Sequence, residues 1–511
     1  MTRLAVLGAP GCGKTRFLMG EYVRMIPDNQ IILTTFSRDT ADDIRCRLSD
    51  VTGRELKKDT VNTLHGVCYE MLGGKGHAEL IESKDSEAFY KDTGLKMSFN
   101  LDPQISEGRK GSLIECVSWL KNTGTSLSRI VEYPGWMDIK QAPAKAREII
   151  KAYEQWKQEN NKIDFTDMLD HVRKDGIVPD TDVLMVDEFQ DLTKLQHDIF
   201  KIWSAEIENI IIAGDPMQSI YEFWGGSPEY FNQFDGDRIV LPKSYRLPST
   251  IWNYAQAIAK QCGMDTPVIE TGTHPGMIRK LTHKQYVNDV SLWGGKTGFR
   301  VYHLIRSNYQ ASPITHILAD NGILWNGLNG WSLSEISVTN AIISARSGNA
   351  LTPQELAALV ESYPNELFNA GKTKAATLEQ INNLNAPQFP GGCGVVSDKL
   401  YDILLSNDPV SYMSRPGELK TKKINNVLRL YNRPLTLDDF NTSLLTIHAS
   451  KGLEANRVFL HTGITGNIKK TTRRNKGAEA RVFYVGVSRA IDELFIVKDA
   501  GDNYSLPGVA M

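Results

Sequence analysis

The chain has 511 residues, enough for roughly two to four domains, and 41% of them are hydrophobic against 23% charged. That balance belongs to folded globular proteins and excludes an intrinsically disordered chain. A net charge of −2 offers no overall attraction to a polyanion, so any such partner needs a local basic track. The six cysteines (Cys12, Cys46, Cys68, Cys116, Cys262 and Cys393) form no Cys-x-x-Cys pair, which points to a reducing compartment and away from structural zinc. The opening, MTRLAVLGAPGCGK, has too short an apolar run for a signal peptide, and no stretch reaches bilayer length. A cytoplasmic protein without membrane contact is expected.

In chain order, short β-branched runs recur: RLAVLG at 3, IILTTF at 31, DVLMVDE at 182 and NIIIAGD at 209. A second set follows: FRVYHLIR at 299, SLLTIH at 443, RVFLHT at 457 and ELFIV at 493. Runs this apolar, alternating with helical patterns such as TADDIRCRLSDV, predict strands buried on both faces of parallel sheets. Two sets predict two α/β domains. Polar helical text interrupts each set, as GSLIECVSWLKNTG and APAKAREIIKAYEQWKQEN in the first and TPQELAALVESYP in the second. The first domain is therefore expected over 1–69 and 160–235 with a helical insertion over 70–159. The second is expected over 236–334 and 441–511 with an insertion over 335–440.

GAPGCGKT at 8–15 fits G-x-x-x-x-G-K-[ST], follows a predicted strand and opens a helical run. The backbone of Gly8, Ala9, Pro10, Gly11, Cys12, Gly13, Lys14, Thr15 and Arg16 would curl around phosphate oxygens at a helix N-terminus. Lys14 would reach the β- and γ-phosphates of ATP, and Thr15 would ligate Mg²⁺. LMVDEFQD at 184–191 is a buried strand ending in paired carboxylates. Asp187 is placed to hold the magnesium shell, and Glu188 to orient and deprotonate a water. Cys12 reads either as a thiol whose pKa the helix dipole lowers or as an inert small filler.

The order VDEFQD, AGDPMQSIYEFWGG, SYRLPSTI, LLTIHASKGLE, RVFYVGVSRA resembles superfamily 1 helicases of the UvrD/Rep/PcrA branch. ILTTFSRDTAD at 32, VNTLHG at 61, NKIDFTDML at 161 and LIRSNYQ at 304 extend the likeness over nearly the whole chain outside the insertions. The resemblance implies two RecA-like P-loop domains and an ATP-dependent DNA helicase. Such an enzyme moves on single-stranded DNA and unwinds tailed duplex, with 3′ to 5′ polarity, as a monomer. By the same resemblance Gln218 senses the γ-phosphate, Tyr245 stacks on adenine and Arg246 touches the γ-phosphate. Gly452 belongs to the nucleotide-binding set, Glu454 meets the nucleotide ribose, and Arg489 is the arginine finger of the second domain. Such fingers are worth about 10³ to 10⁵ in rate.

The resemblance also implies a nucleic-acid track: Phe36 and His65, then Tyr221, Phe223 and Trp224, then Arg306, Asn308 and His448. Relatives read Tyr-x-Trp-Arg-Gly where this chain has Tyr221-Glu222-Phe223-Trp224-Gly225. Phe223 thus takes the place of the stacking Trp, and Trp224 that of an Arg. Trp224 reads equally as core packing beside Gly225 and Gly226, and His448 equally as a core or interdomain hydrogen-bonding group. The basic runs KTKK at 420–423 and IKKTTRRNKG at 468–477 read as solvated loops or, for the second, as a phosphate contact.

Other departures concern selectivity and processivity. Relatives carry an upstream Gln that reads the adenine edge, and none precedes the first strand here, so relaxed NTP selectivity is expected. Arg38-Asp39 stands where relatives have Asn-Lys, and the second insertion is reduced. Two rival readings remain at this point. A P-loop phosphotransferase explains Lys14 and Asp187 but not Gln218, Arg246, Glu454 and Arg489. A nucleic-acid-stimulated ATPase that remodels nucleoprotein without unwinding explains all of them.

Overall fold

A computed structural model describes residues 2–26, 29–73, 79–99, 111–272, 274–289, 294, 298–369, 373–383 and 395–508. Cys393 lies outside them. The chain divides into two compact units, Met1–Gly276 with Lys470–Ser488, and Met277–Lys469 with Arg489–Met511.

The first unit begins β1 (Arg3–Leu7), α1 (Lys14–Met25), β2 (Ile31–Thr35), α2 (Arg38–Thr52), β3 (Val61–Thr63) and α3 (Leu64–Met71). A mostly helical excursion follows: β4 (Glu79–Leu80), α4 (Asp85–Thr93), α5 (Leu113–Thr123), α6 (Pro143–Glu159) and β5 (Lys162–Ile163). The chain returns through α7 (Phe165–Asp175), β6 (Val183–Val186), α8 (Lys194–Glu206), β7 (Asn209–Gly214), α9 (Pro228–Asn232) and β8 (Asp237–Val240). It then runs through β9 (Lys243–Pro248), α10 (Ser249–Gln261) and β10 (Glu270–Gly272). The sheet is parallel throughout, in the order β3-β2-β6-β7-β1-β8. Every residue of β2 and β6 is buried, as expected of strands covered on both faces.

The excursion has its own core, including Phe89, Phe99, Trp119, Tyr153 and Trp156. Buried charges lock it to α7. Lys157, 3% exposed at its side chain, reaches Asp164 at 2.7 Å and Asp167 at 2.6 Å, and Lys121 reaches Asp167 at 2.5 Å. The carboxylates of Glu154, Asp164 and Asp167 are gathered closely enough to hold a cation, and these two ammonium groups already serve them. A buried set of this kind specifies one orientation, because any displacement strands a charge.

The second unit carries β11 (Met277–Thr282), α11 (His283–Asn288), β12 (Val301–Ile305), α12 (Ala311–Asp320) and β13 (Trp325–Gly327). Helices α13 (Leu333–Arg346), α14 (Pro353–Ser362), α15 (Lys374–Asn382), α16 (Asp398–Leu405) and α17 (Glu418–Leu430) precede β14 (Thr442–Thr446). Then come β15 (Ala455–His461) and β16 (Ala490–Lys498); between them in the chain lie α18 (Gly466–Arg474) and α19 (Lys476–Val487), and Lys470–Ser488 belong to the first unit. This sheet is also parallel, in the order β11-β16-β15-β12-β14-β13.

All eight runs read as strands are strands, and the α/β class with two RecA-like parallel sheets is as expected. The domain boundary differs. Residues beyond 235 stay with the first sheet, because β8 pairs with the free side of β1 and β9 lies against the loop after β1. Helix α19, expected with the second sheet, packs on α10 in the first unit. Among the described residues no helix is long and apolar enough to cross a membrane.

Candidate active site

Strand β1 delivers the chain into the phosphate loop at the C-terminal edge of the sheet. Gly11 and Gly13 hold φ of 76° and 80°, a region that residues with a Cβ avoid. The Gly8 N–H donates to Gly214 O at 3.1 Å, which ties the loop to β7. Gly13 caps α1 without a side chain, so the first amides of the helix remain available to an anion. Lys14 is buried, and its Nζ donates to Gly8 O at 3.0 Å across the loop. Arg16 is exposed on the first turn of α1.

Thr15 Oγ1 donates to Asp187 Oδ2 at 2.6 Å, joining the helix start to the end of β6. The Asp187 N–H is held by Thr34 O at 2.8 Å. Burial, with Glu188 beside it, pushes the Asp187 carboxyl up to about 6. Such a group is stabilised as an anion by a cation, and two hard oxygens side by side fit a small divalent one. Glu188 sits at φ 53°, which turns its side chain out of the strand line. Gln190 Nε2 donates to Glu188 Oε2 at 2.5 Å, while Gln190 Oε1 accepts the Asp215 N–H at 3.0 Å. Gln190 thereby ties the end of β6 to the end of β7. Asp215, raised by burial, accepts from Gln218 Nε2 at 2.9 Å and from the Met217 N–H at 3.0 Å.

Strand β9 closes the loop from the other side. Ser244 Oγ donates to Pro10 O at 2.7 Å and the Tyr245 N–H to Gly11 O at 3.0 Å. Arg246 packs against Gly11. The Tyr245 ring is 73% exposed, an open face beside the phosphate loop. Cys12 is buried, and burial pushes its thiol up to about 11, which favours the filler reading over a helix-lowered thiol.

At the same sheet edge, Phe36 follows β2 and stacks on Tyr221 with ring centroids 5.0 Å apart and planes 14° apart. Phe223 continues the group, 6.2 Å from Tyr221. The Trp119 indole donates to Phe223 O at 2.7 Å, which fixes this turn to α5. Trp224 departs from the track. It packs on the core of the helical excursion, so the core reading applies to it. Gly225 makes that turn possible at φ 90°, where an added Cβ would lie 3.0 Å from Asn122 O. Burial, then Arg38, pushes the His65 imidazole down to about 4, which favours its neutral form. Phe36 and His65 line a narrow cleft that also reaches Asp187 and Glu188.

The second unit sorts its candidates to two ends of one sheet. Arg306 and Asn308 follow β12, and His448 follows β14, at the C-terminal edge. Gln310 Oε1 accepts the Arg306 and Ser307 N–H groups at 3.0 and 2.9 Å, and its Nε2 reaches Asp499 Oδ2 at 3.3 Å. His448 is buried. Gly452 and Glu454 precede β15 and Arg489 precedes β16, at the N-terminal edge, roughly 15–20 Å away by strand length. There Arg489 Nη1 donates to Leu453 O at 3.1 Å, and Glu454 lies 3.9 Å from Arg300.

Residues 1–238 match the UvrD/REP helicase N-terminal domain, and residues 398–500 match the UvrD-like helicase C-terminal domain. The chain belongs to the UvrD/Rep helicase family. A probable DNA helicase II homolog of Mycoplasma capricolum is 22% identical over 97% of this chain and 82% of its own length. The ATP-dependent DNA helicase srs2 of Schizosaccharomyces pombe is 27% identical over 50% of this chain and 33% of its own length. The ATP-dependent DNA helicase PcrA of Staphylococcus epidermidis is 24% identical over 50% of this chain and 38% of its own length. The chain thus spans little more than a third of the length of these last two.

Within this UvrD/Rep-family chain, three residues of the site escaped sequence reasoning, Gln190, Asp215 and Ser244, as did Arg481, which lies outside the nucleotide site and donates to Ser219 O from α19. Asp215 is the polar residue directly after the apolar strand β7, and Gln190 stands four residues past the end of β6. The first of these signals could have singled out Asp215. Ser244 and Arg481 act on segments more than 200 residues away, which no local pattern reveals.

Proposed function

We propose that the chain is an ATP-dependent DNA helicase that moves on single-stranded DNA and unwinds tailed duplex with 3′ to 5′ polarity. The observation that carries this reading is the shared cleft: Phe36 and His65 at the ends of β2 and β3 meet Asp187 and Glu188 at the end of the adjacent β6. A base held on the aromatic group is one strand away from the carboxylates that would serve the phosphates. In this mechanism Lys14 and the N–H groups at the start of α1, from Gly13 to Thr15, hold the β- and γ-phosphates of ATP. Thr15 and Asp187 hold Mg²⁺, which when bound neutralises charge on the phosphate oxygens. Glu188 takes the proton of the attacking water, Gln218 and Arg246 contact the γ-phosphate, and Tyr245 stacks on the base. Glu454 meets the ribose, with Gly452 beside it in the nucleotide-binding set, and Arg489 supplies the arginine finger.

ATP turnover with and without oligo-dT, followed by strand displacement on 3′- and 5′-tailed duplexes, tests this reading. Stimulation with displacement of the 3′-tailed substrate is expected. Absence of stimulation would favour a phosphotransferase, and stimulation without displacement a nucleoprotein remodeller. Phe223→Ala is expected to raise the oligo-dT concentration for half-maximal stimulation about tenfold, the loss of one base stack of about 1–3 kcal/mol. Basal and stimulated turnover falling together would instead make Phe223 a packing residue.

A further inference from the structure

Helix α19 touches the segment 215–226 at two points, and both contacts come from one helix face. Arg481 and Tyr484 are three residues apart, hence neighbours on the helix surface. Tyr484 Oη donates to Asp215 Oδ2 at 3.4 Å, beside the bond that orients Gln218. Arg481, 7% exposed, sends Nε to Ser219 O at 3.0 Å and Nη2 to a carboxylate oxygen of Glu222. The other Glu222 oxygen accepts from Asn475 Nδ2 at 3.0 Å, and Asn475 also caps α19 through the Ala478 N–H at 3.0 Å. Every residue of α19 from Glu479 to Val487 is buried, so the helix is a fixed support. Between the two contacts lie Gln218 and the start of the turn that presents Tyr221 and Phe223.

Resting on the helicase reading above, we propose that Arg481 is a positioning residue which, through Ser219 and Glu222, sets the aromatic platform in register with Gln218. Glu222 occupies the variable position of the Tyr-x-Trp-Arg-Gly pattern, and Trp224 has replaced the arginine of that pattern. The guanidinium serving this turn therefore comes from α19, and it is given a carboxylate partner by Glu222. Arginine suits the task because its planar fork bonds a backbone carbonyl and a carboxylate at once, which an ammonium does less well. The Trp224, Gly225 and Gly226 N–H groups close the turn onto Tyr221 O and Glu222 O at 2.9 to 3.2 Å, and these bonds report its order.

Two measurements on the full chain test the proposal. In Arg481→Met, oligo-dT for half-maximal ATPase stimulation should rise at least about tenfold with basal turnover retained, and Arg481→Lys should recover part of the loss. Glu222→Gln should give a smaller rise, and adding it to Arg481→Met should cost nothing further, since both remove one interaction. Hydrogen exchange of the 216–227 peptide should accelerate at least about tenfold in Arg481→Met, with the phosphate-loop peptide unchanged. Unchanged half-saturation in Arg481→Met, or basal and stimulated turnover lost together, would overturn the proposal. A wild type that oligo-dT does not stimulate would sink the helicase reading alone. In that case the exchange experiment still decides, and an unaltered 216–227 peptide would overturn the role of Arg481.

Discussion

Glu188→Gln is expected to bind nucleotide within about threefold of the wild type while turnover falls by about 10² to 10⁴, the range for loss of a general base. The substitution keeps the shape of the side chain and one carbonyl oxygen. Gln190 Nε2, which donates to Glu188 Oε2 at 2.5 Å, therefore keeps an acceptor. What disappears is the group that takes a proton. Asp187 provides the contrast. Its carboxylate accepts from Thr15 at 2.6 Å and shares a buried corner with Glu188. Asp187→Asn should weaken magnesium-dependent nucleotide binding itself, whereas Glu188→Gln removes a neighbouring negative charge and should not. Equilibrium binding of a fluorescent ATP analogue with magnesium, beside steady-state phosphate release, separates the two. Turnover of Glu188→Gln within a few-fold of the wild type would remove Glu188 from the chemistry.

That assignment was legible because strand β6 is wholly buried and ends in two carboxylates, a pattern with local physical meaning. The same holds for the phosphate loop, where glycine spacing and the following helix predict an anion site. β3 and β8 carry too little local signal to be read as strands, the first because it is short and the second because it is exposed. β3 has three residues, and β8 is exposed or half-exposed along its length. β8 is recognisable only through its pairing with β1, more than 200 residues earlier. For the same reason the boundary at 276 and the allegiance of α19 were hidden. Side-chain direction was equally hidden. Trp224 and Phe223 are adjacent in sequence, yet Phe223 stays with the aromatic group and Trp224 turns into the excursion core. Gly225, at φ 90°, closes the turn directly after Trp224, a bend that a run of aromatics does not announce.

Gly11→Ala is expected to lower nucleotide affinity at least about a hundredfold, because two costs add at one atom. The backbone at φ 76° disfavours any Cβ, by about 1–2 kcal/mol. The new methyl would also land on Cβ of Arg246 and within 2.9 Å of Ser244 Oγ. Neither neighbour can yield cheaply. Ser244 Oγ is bonded to Pro10 O at 2.7 Å, and the Tyr245 N–H is bonded to Gly11 O itself. Relief must come from separating β9 from the phosphate loop, a displacement of the order of 1–3 kcal/mol for an overpacked site. It would carry Tyr245 and Arg246 away from the nucleotide together. Gly20→Ala is the matched control. Gly20 lies within α1 with nothing within 4 Å of an added Cβ, so this change should leave affinity unaltered and favour the helix by about 0.5–1 kcal/mol. Equal affinities for the two variants, measured by nucleotide titration, would mean that β9 and the phosphate loop are not held together by these contacts.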